Sequence, residues 1–279
     1  MLSVEFMRNA LLAGSFIALA CGLCGWFVVL RGQVFAGDAL SHVAFPGALA
    51  AAAAGADERV GLFAATVLVG GAIGMLGRGA LASGGGGGGA RNFMAGEDTS
   101  IGIVFTFVLA LGVYFLTRFS LSSNGSAGVE TARTLFGSIF GLSGSEALLA
   151  ALLAAGASLG TLVLARPLLF ASVSPELARA RGVSTRLLGI AFLALLGVVA
   201  AEASQAVGAL LLLGLLTGPA AAAHRLSASP AAGLGLAGAL ALLTMWAGLV
   251  LAYLIGSLPP SSAIVGVSLA VYLLSGLRR

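Results

Sequence analysis

The chain has 279 residues, of which 59% are hydrophobic and only 9% charged, with a mean hydropathy of +1.09. Soluble domains carry about 25% charged residues, so this composition excludes a water-soluble globular protein and describes a chain built for a bilayer. All fourteen basic residues are arginine, which rules out a Gly-x-x-x-x-Gly-Lys-Ser/Thr phosphate loop, and arginines dispersed through short loops give the net charge of +4 no basic face for nucleic acid.

A helical span needs roughly 20 mostly apolar residues. Apolar runs, cut at charges and at Pro or Gly clusters, fall at 10–30, 40–55, 60–77, 101–117, 147–165, 187–201, 205–223, 232–254 and 262–276. They predict an all-α polytopic membrane protein with about eight or nine transmembrane helices, forming a single domain over residues 1–279.

The first run follows Glu5 and Arg8 with no prompt Ala-x-Ala cleavage site, so it is expected to stay as a span. It holds Cys21 and Cys24, the only cysteines. A structural zinc site needs a second ligand pair at matching spacing, so these read as small buried side chains.

The second run carries Gly37-Asp38-Ala39-Leu40-Ser41-His42, then Pro46-Gly47. Side chains at i and i+4 lie one above the other on a helix. Asp38 and His42 can therefore present an oxygen and a nitrogen to one divalent cation, and zinc, manganese and iron all accept that donor set. An ionisable group inside a bilayer costs at least ~2.5 kcal/mol, which invites a functional reading. Pro46 opens backbone carbonyls beside the pair. The alternative at this point is a helix-capping Asp38 at the membrane surface with His42 bonded to a neighbour.

Residues 78–98 contain the run Gly84–Gly89 between Arg78 and Arg91 and read as a flexible cytosolic linker. Small residues such as Gly70, Gly71, Gly74 and Gly77, or Gly233, Gly235 and Gly238, favour close helix approach in lipid. The turn over 166–186 holds Arg166, Arg179, Arg181 and Arg186, which makes it the strongest cytosolic candidate. Nine spans counted from it put the N-terminus outside and the C-terminus inside; eight would flip the N-terminus. Within this turn Pro175 at a first helical position, an early Glu176 and a terminal Gly182 define a short capped helix. It is either a docking element or an ordinary surface helix.

Glu202 and Gln205 lie between two runs and read as a surface loop, or else as an outer gate. His224, just before Arg225, reads as interfacial. Two matches imitate hydrolases: Gly141-Leu142-Ser143-Gly144, with His224 as a conceivable base, and Gly156-Ala157-Ser158-Leu159-Gly160. A nucleophile elbow needs a strand-to-helix turn, whereas Ser158 falls inside an apolar run, and a chain with 42 glycines produces such matches by chance.

Three stretches, taken together and in order, resemble the membrane permeases of bacterial ATP-binding-cassette importers for zinc, manganese or iron, the ABC-3 family. They are Gly37–His42 with Pro46-Gly47, Glu97-Asp98-Thr99-Ser100-Ile101-Gly102-Ile103, and Pro175-Glu176-Leu177-Ala178-Arg179-Ala180-Arg181-Gly182-Val183. The likeness extends through Leu135-Phe136-Gly137-Ser138 and Gln205-Ala206-Val207-Gly208 to Thr217-Gly218-Pro219-Ala220.

The resemblance implies a type II importer-like permease of the bacterial plasma membrane, a homodimer surrounded by lipid. Such a permease receives its ion from an extracytoplasmic solute-binding protein and is driven by two copies of a separate cytosolic ATPase. The chain itself would then be no enzyme and would hold no permanent cofactor, the zinc, manganese or iron being cargo. Asp38 and His42 correspond to the family's metal-coordinating pair. Residues 175–182, with Pro175, Glu176, Leu177, Ala180 and Gly182, correspond to the coupling helix that sits in a groove of the ATPase. The glycine run replaces basic residues common in the family, and Ser100 stands where alanine is common. A stand-alone carrier or channel is the competing expectation, with an intramembrane serine protease behind it.

Overall fold

A computed structural model describes residues 5–76, 90–122, 137, 139–206, 208–209 and 212–277; between 90 and 122 the side chains are described over 101–117. Regular structure among the described residues is helical: α1 (Glu5–Leu30), α2 (Val34–Ala53), α3 (Glu58–Leu76), α4 (Ala90–Ser122), a 3-10 turn (Ile139–Gly141), α5 (Gly144–Val173), α6 (Pro175–Ala180), α7 (Thr185–Ala206), α8 (Leu212–Leu226), α9 (Pro230–Ile255) and α10 (Pro260–Gly276). Each apolar run of the sequence centres on its own helix, the run 205–223 beginning in the end of α7, and α6 is the short helix expected in the arginine-rich turn.

Among the described residues, six helices are long and apolar enough to cross a membrane: α1, α2, α3, α5, α7 and α9. The apolar part of α4 (Ile101–Thr117) and α10 are shorter. Helix α8, at 15 residues, is about 22 Å long at 1.5 Å per residue, less than the roughly 30 Å hydrocarbon core.

Three boundaries differ from expectation. Helix α2 begins at Val34 with Gln33 as N-cap, so Asp38 lies more than a turn inside the helix and is not its cap. Helix α4 begins at Ala90, so the last part of the expected 78–98 linker is helical; Gly84–Gly89 lie outside the described residues. Helix α7 runs on to Ala206 and absorbs Glu202 and Gln205.

The chain divides into two compact units, one of Met1–Arg31, Ala132–Val163 and Glu202–Arg279, the other of Gly32–Thr131 and Leu164–Ala201. In the first, α1 packs against α8 and α9 through its glycines. A Cβ on Gly22 would lie 2.6 Å from the Ala237 carbonyl oxygen of α9, and one on Gly25 would run into the Leu216 carbonyl oxygen of α8. Lipid supplies no hydrophobic drive between helices, so association depends on this close backbone approach. Trp26, His224, Arg225, Gly233, Tyr272 and Gly276 gather at one end of this unit, and Gly14, Ile139 and Met245 meet toward the other. Helices α1, α8 and α10 therefore run parallel and α9 antiparallel.

In the second unit α2 packs antiparallel to α3 and parallel to α4. Gly47 and Gly61 bring α2 and α3 into backbone contact, and Gly112 of α4 abuts Pro46, whose Cγ would lie 2.7 Å from an added Cβ. Gly74 likewise lets α3 approach Ile190 of α7. Ala44, Ala48, Leu62 and Ala201 form a buried apolar cluster flanked by Phe63. The part of α2 that follows the polar pair is thus held between α3 and α4.

Candidate functional site

Helix α2 turns Ala36, Ala39, Leu40, Val43 and Ala44 into the protein and leaves Phe35, Asp38, His42 and Phe45 along a more open stripe. The Asp38 and His42 side chains are 34% and 22% exposed, and Asp38 Oδ1 lies 3.9 Å from His42 Nε2. That is too long for a hydrogen bond. Two neighbouring ligands at ~2.1 Å from one metal ion stand about 3.0–3.4 Å apart, so a closure of about 0.5–0.9 Å from 3.9 Å would let both bind the same ion. The helix brings oxygen and nitrogen to almost the right separation without joining them.

Neighbouring groups hold this face in place. Ser41 Oγ donates to the Asp38 carbonyl oxygen at 2.6 Å. The His42 ring meets Phe105 of α4 at 5.8 Å and 43°, and Phe105 stands edge-on to Phe35 at 6.4 Å and 82°. Pro46, inside α2, lacks the N–H that would bond the His42 carbonyl four residues earlier. No three His, Cys, Asp or Glu side chains gather among the described residues. The pair therefore supplies two ligands, and an ion held there needs others from water, backbone or another chain.

Helix α6 has the ends its sequence implies. Pro175 opens it and Glu176 lies in its first turn. Gly182 takes φ +79°, which lets its N–H reach the Arg179 carbonyl at 3.0 Å while the Val183 N–H reaches that of Ala178 at 2.9 Å. This pair of bonds is a Schellman closure. Ala178 is the buried anchor, while Pro175, Glu176, Leu177, Ala180 and Gly182 are exposed.

Other expectations are corrected. Glu202 is 1% exposed near the end of α7, and Gln205 is partly buried there, so neither belongs to a surface loop. The charge had cut the apolar run, yet the helix continues through it. Ser143 forms a capping box at the start of α5: its N–H donates to Glu146 Oε2 at 2.9 Å and its Oγ accepts from the Glu146 N–H at 3.4 Å, while its hydroxyl donates to the same Oε2 at 2.7 Å. His224 stacks on Trp26 with centroids 4.8 Å apart, its Nε2 3.0 Å from the Trp26 carbonyl oxygen. Asn9, which donates to the Leu142 carbonyl, and Trp26 are separated along α1 by about 25 Å. Ser143 and His224 thus occupy opposite ends of their unit, which removes the proteolytic dyad. Ser158 Oγ donates to the Ala154 carbonyl within α5, so it sits on no elbow. Cys21 and Cys24 are buried as expected, with Cys24 Sγ 3.1 Å from Thr161 Oγ1.

A profile of the ABC 3 transport family matches residues 3–279. The chain is similar to the manganese transport system membrane protein MntC of Halalkalibacterium halodurans, at 30% identity over 81% of this chain and 72% of that one. It is also similar to the chelated iron transport system membrane protein YfeD of Yersinia pestis, at 29% identity over 77% of this chain and 66% of that one. Among solved structures, PsaBC from Streptococcus pneumoniae in complex with Fab has the same fold, with a TM-score of 0.79 at 24% identity over 98% of this chain and 91% of that one.

Proposed function

Because the chain belongs to the ABC 3 transport family and is a multi-pass permease subunit of the bacterial plasma membrane, we propose that its cargo is divalent manganese or ferrous iron, with zinc admitted by the same donors. The observation that carries this reading is the Asp38–His42 pair, an oxygen and a nitrogen 3.9 Å apart on the open face of a membrane helix. Carboxylate and imidazole without thiolate suit these ions, and relatives are named for manganese and for chelated iron.

In this mechanism two copies of the chain form the conduit, and each contributes one pair that replaces part of the ion's hydration shell. An extracytoplasmic solute-binding protein delivers the ion. Two copies of a cytosolic ATPase drive the cycle, and ATP hydrolysis is theirs. Helix α6, from Pro175 to its Gly182 closure, sits in the ATPase groove and transmits closure to the membrane helices, which alternate in access. Glu202 and Gln205, near the end of α7, act as a gate. Binding at the pair stays weak enough for release.

The test is reconstitution of the permease with its ATPase in proteoliposomes and measurement of manganese(II) uptake. Uptake is expected to require ATP, and Asp38→Ala or His42→Ala is expected to abolish it while the complex still assembles. Wild-type rates in both variants would overturn the site assignment. ATP-independent uptake by the permease alone would restore the stand-alone carrier.

A further inference from the structure

We infer that Phe105 is a positioning residue for metal binding, fixing the His42 imidazole so that Nε2 stays turned toward Asp38; this rests on the reading of Asp38 and His42 as the metal pair. The helix register provides the first support. Phe35 and His42 are seven residues apart on α2, Phe105 and Gly112 seven apart on α4, and such spacing keeps each pair on one face. Gly112 abuts Pro46 with no room for a Cβ. That contact fixes α4 against α2 and delivers Phe105 to the space between Phe35 and His42, with ring centroids 6.4 and 5.8 Å away.

The second support is what His42 lacks among the described residues. Metal-binding histidines usually have their orientation set by a hydrogen bond from the second ring nitrogen. His42 Nε2 faces Asp38 without bonding it, and the imidazole rests instead against the Phe105 ring. An aromatic contact of this kind restricts rotation about χ2, a broad torsion in histidine, and keeps one side of the ring dry. Phe35, standing edge-on to Phe105, in turn limits the movement of Phe105. The aromatic contact does for this imidazole what an outer carboxylate does elsewhere. A leucine in place of Phe105 fills most of the volume but offers no flat face, so the imidazole samples orientations that bind the ion poorly.

The experiment uses the purified permease–ATPase complex, with equilibrium binding of manganese(II) followed by loss of the free-ion paramagnetic resonance signal, and uptake in proteoliposomes at saturating metal. Phe105→Leu is expected to raise the dissociation constant roughly three- to tenfold while maximal uptake stays within about twofold. Phe105→Tyr, which keeps the ring, should bind as wild type, and Phe35→Leu should give a smaller rise than Phe105→Leu. Unchanged affinity in Phe105→Leu would overturn the inference, as would a loss of maximal uptake at unchanged affinity. Failure of the underlying pair has a separate signature: Asp38→Ala and His42→Ala would bind and carry manganese(II) like wild type.

Discussion

His42 and His224 are the only histidines in the chain, and both lie beside aromatic rings, yet their surroundings divide them. The His224 ring is stacked on Trp26 and its Nε2 lies against the Trp26 main-chain carbonyl. It joins the end of α8 to the end of α1. His42 has its Nε2 3.9 Å from a carboxylate, close enough to share an ion and too far to bond. The two ligand-type pairs differ in the same way. Cys21 and Cys24 are sealed within the first unit, while Asp38 and His42 line the open stripe of α2. A donor atom can serve as a ligand only where packing leaves it both accessible and unspent, and residue type alone does not distinguish the two cases.

The contrast breaks most directly at the two imidazoles. His42→Ala should lower metal uptake more than about 100-fold, beyond what is typical for losing an outer-shell partner, whereas His224→Ala should leave uptake within a few-fold and instead lower the melting temperature in detergent. Equal uptake by the two variants would erase the distinction. Gly112→Val tests whether α4 must sit flush on Pro46: overpacking there costs about 1–3 kcal/mol, and both the thermal midpoint and metal affinity should fall together. Removing the Schellman closure with Gly182→Ala places a Cβ at φ +79°, a strain of about 1–2 kcal/mol. ATP-driven uptake should drop severalfold with metal affinity unchanged, as read by manganese(II) binding. The smallest effect on transport belongs to Ser143→Ala, which removes a helix cap and should cost about 0.5–2 kcal/mol in a denaturation measurement with uptake preserved.

The helices themselves were largely legible, because a bilayer demands long apolar runs and tolerates few charges. Glu202 shows where that reading misleads. A single carboxylate looks like the end of a span, yet α7 passes through it and buries it, since a folded membrane protein can accommodate a charge that isolated apolar segments avoid. Phe105 left no trace in the sequence reading. One phenylalanine in an apolar run resembles any other until α4 is seen against α2.

From the order of residues alone came the membrane class, the apolar runs behind eight or nine expected helices, the short capped helix after Val173, and the stacking of Asp38 over His42, all of which follow from composition, local periodicity and turn chemistry. The three-dimensional packing decided which polar groups were already committed: His224 to Trp26, Ser143 to the start of α5, and His42 to an aromatic neighbour and an unbonded carboxylate. The physical reason is that a side chain's hydrogen-bonding and ligating capacity is settled by contacts distant in sequence, and in this chain those contacts depend on glycine-mediated approaches between helices.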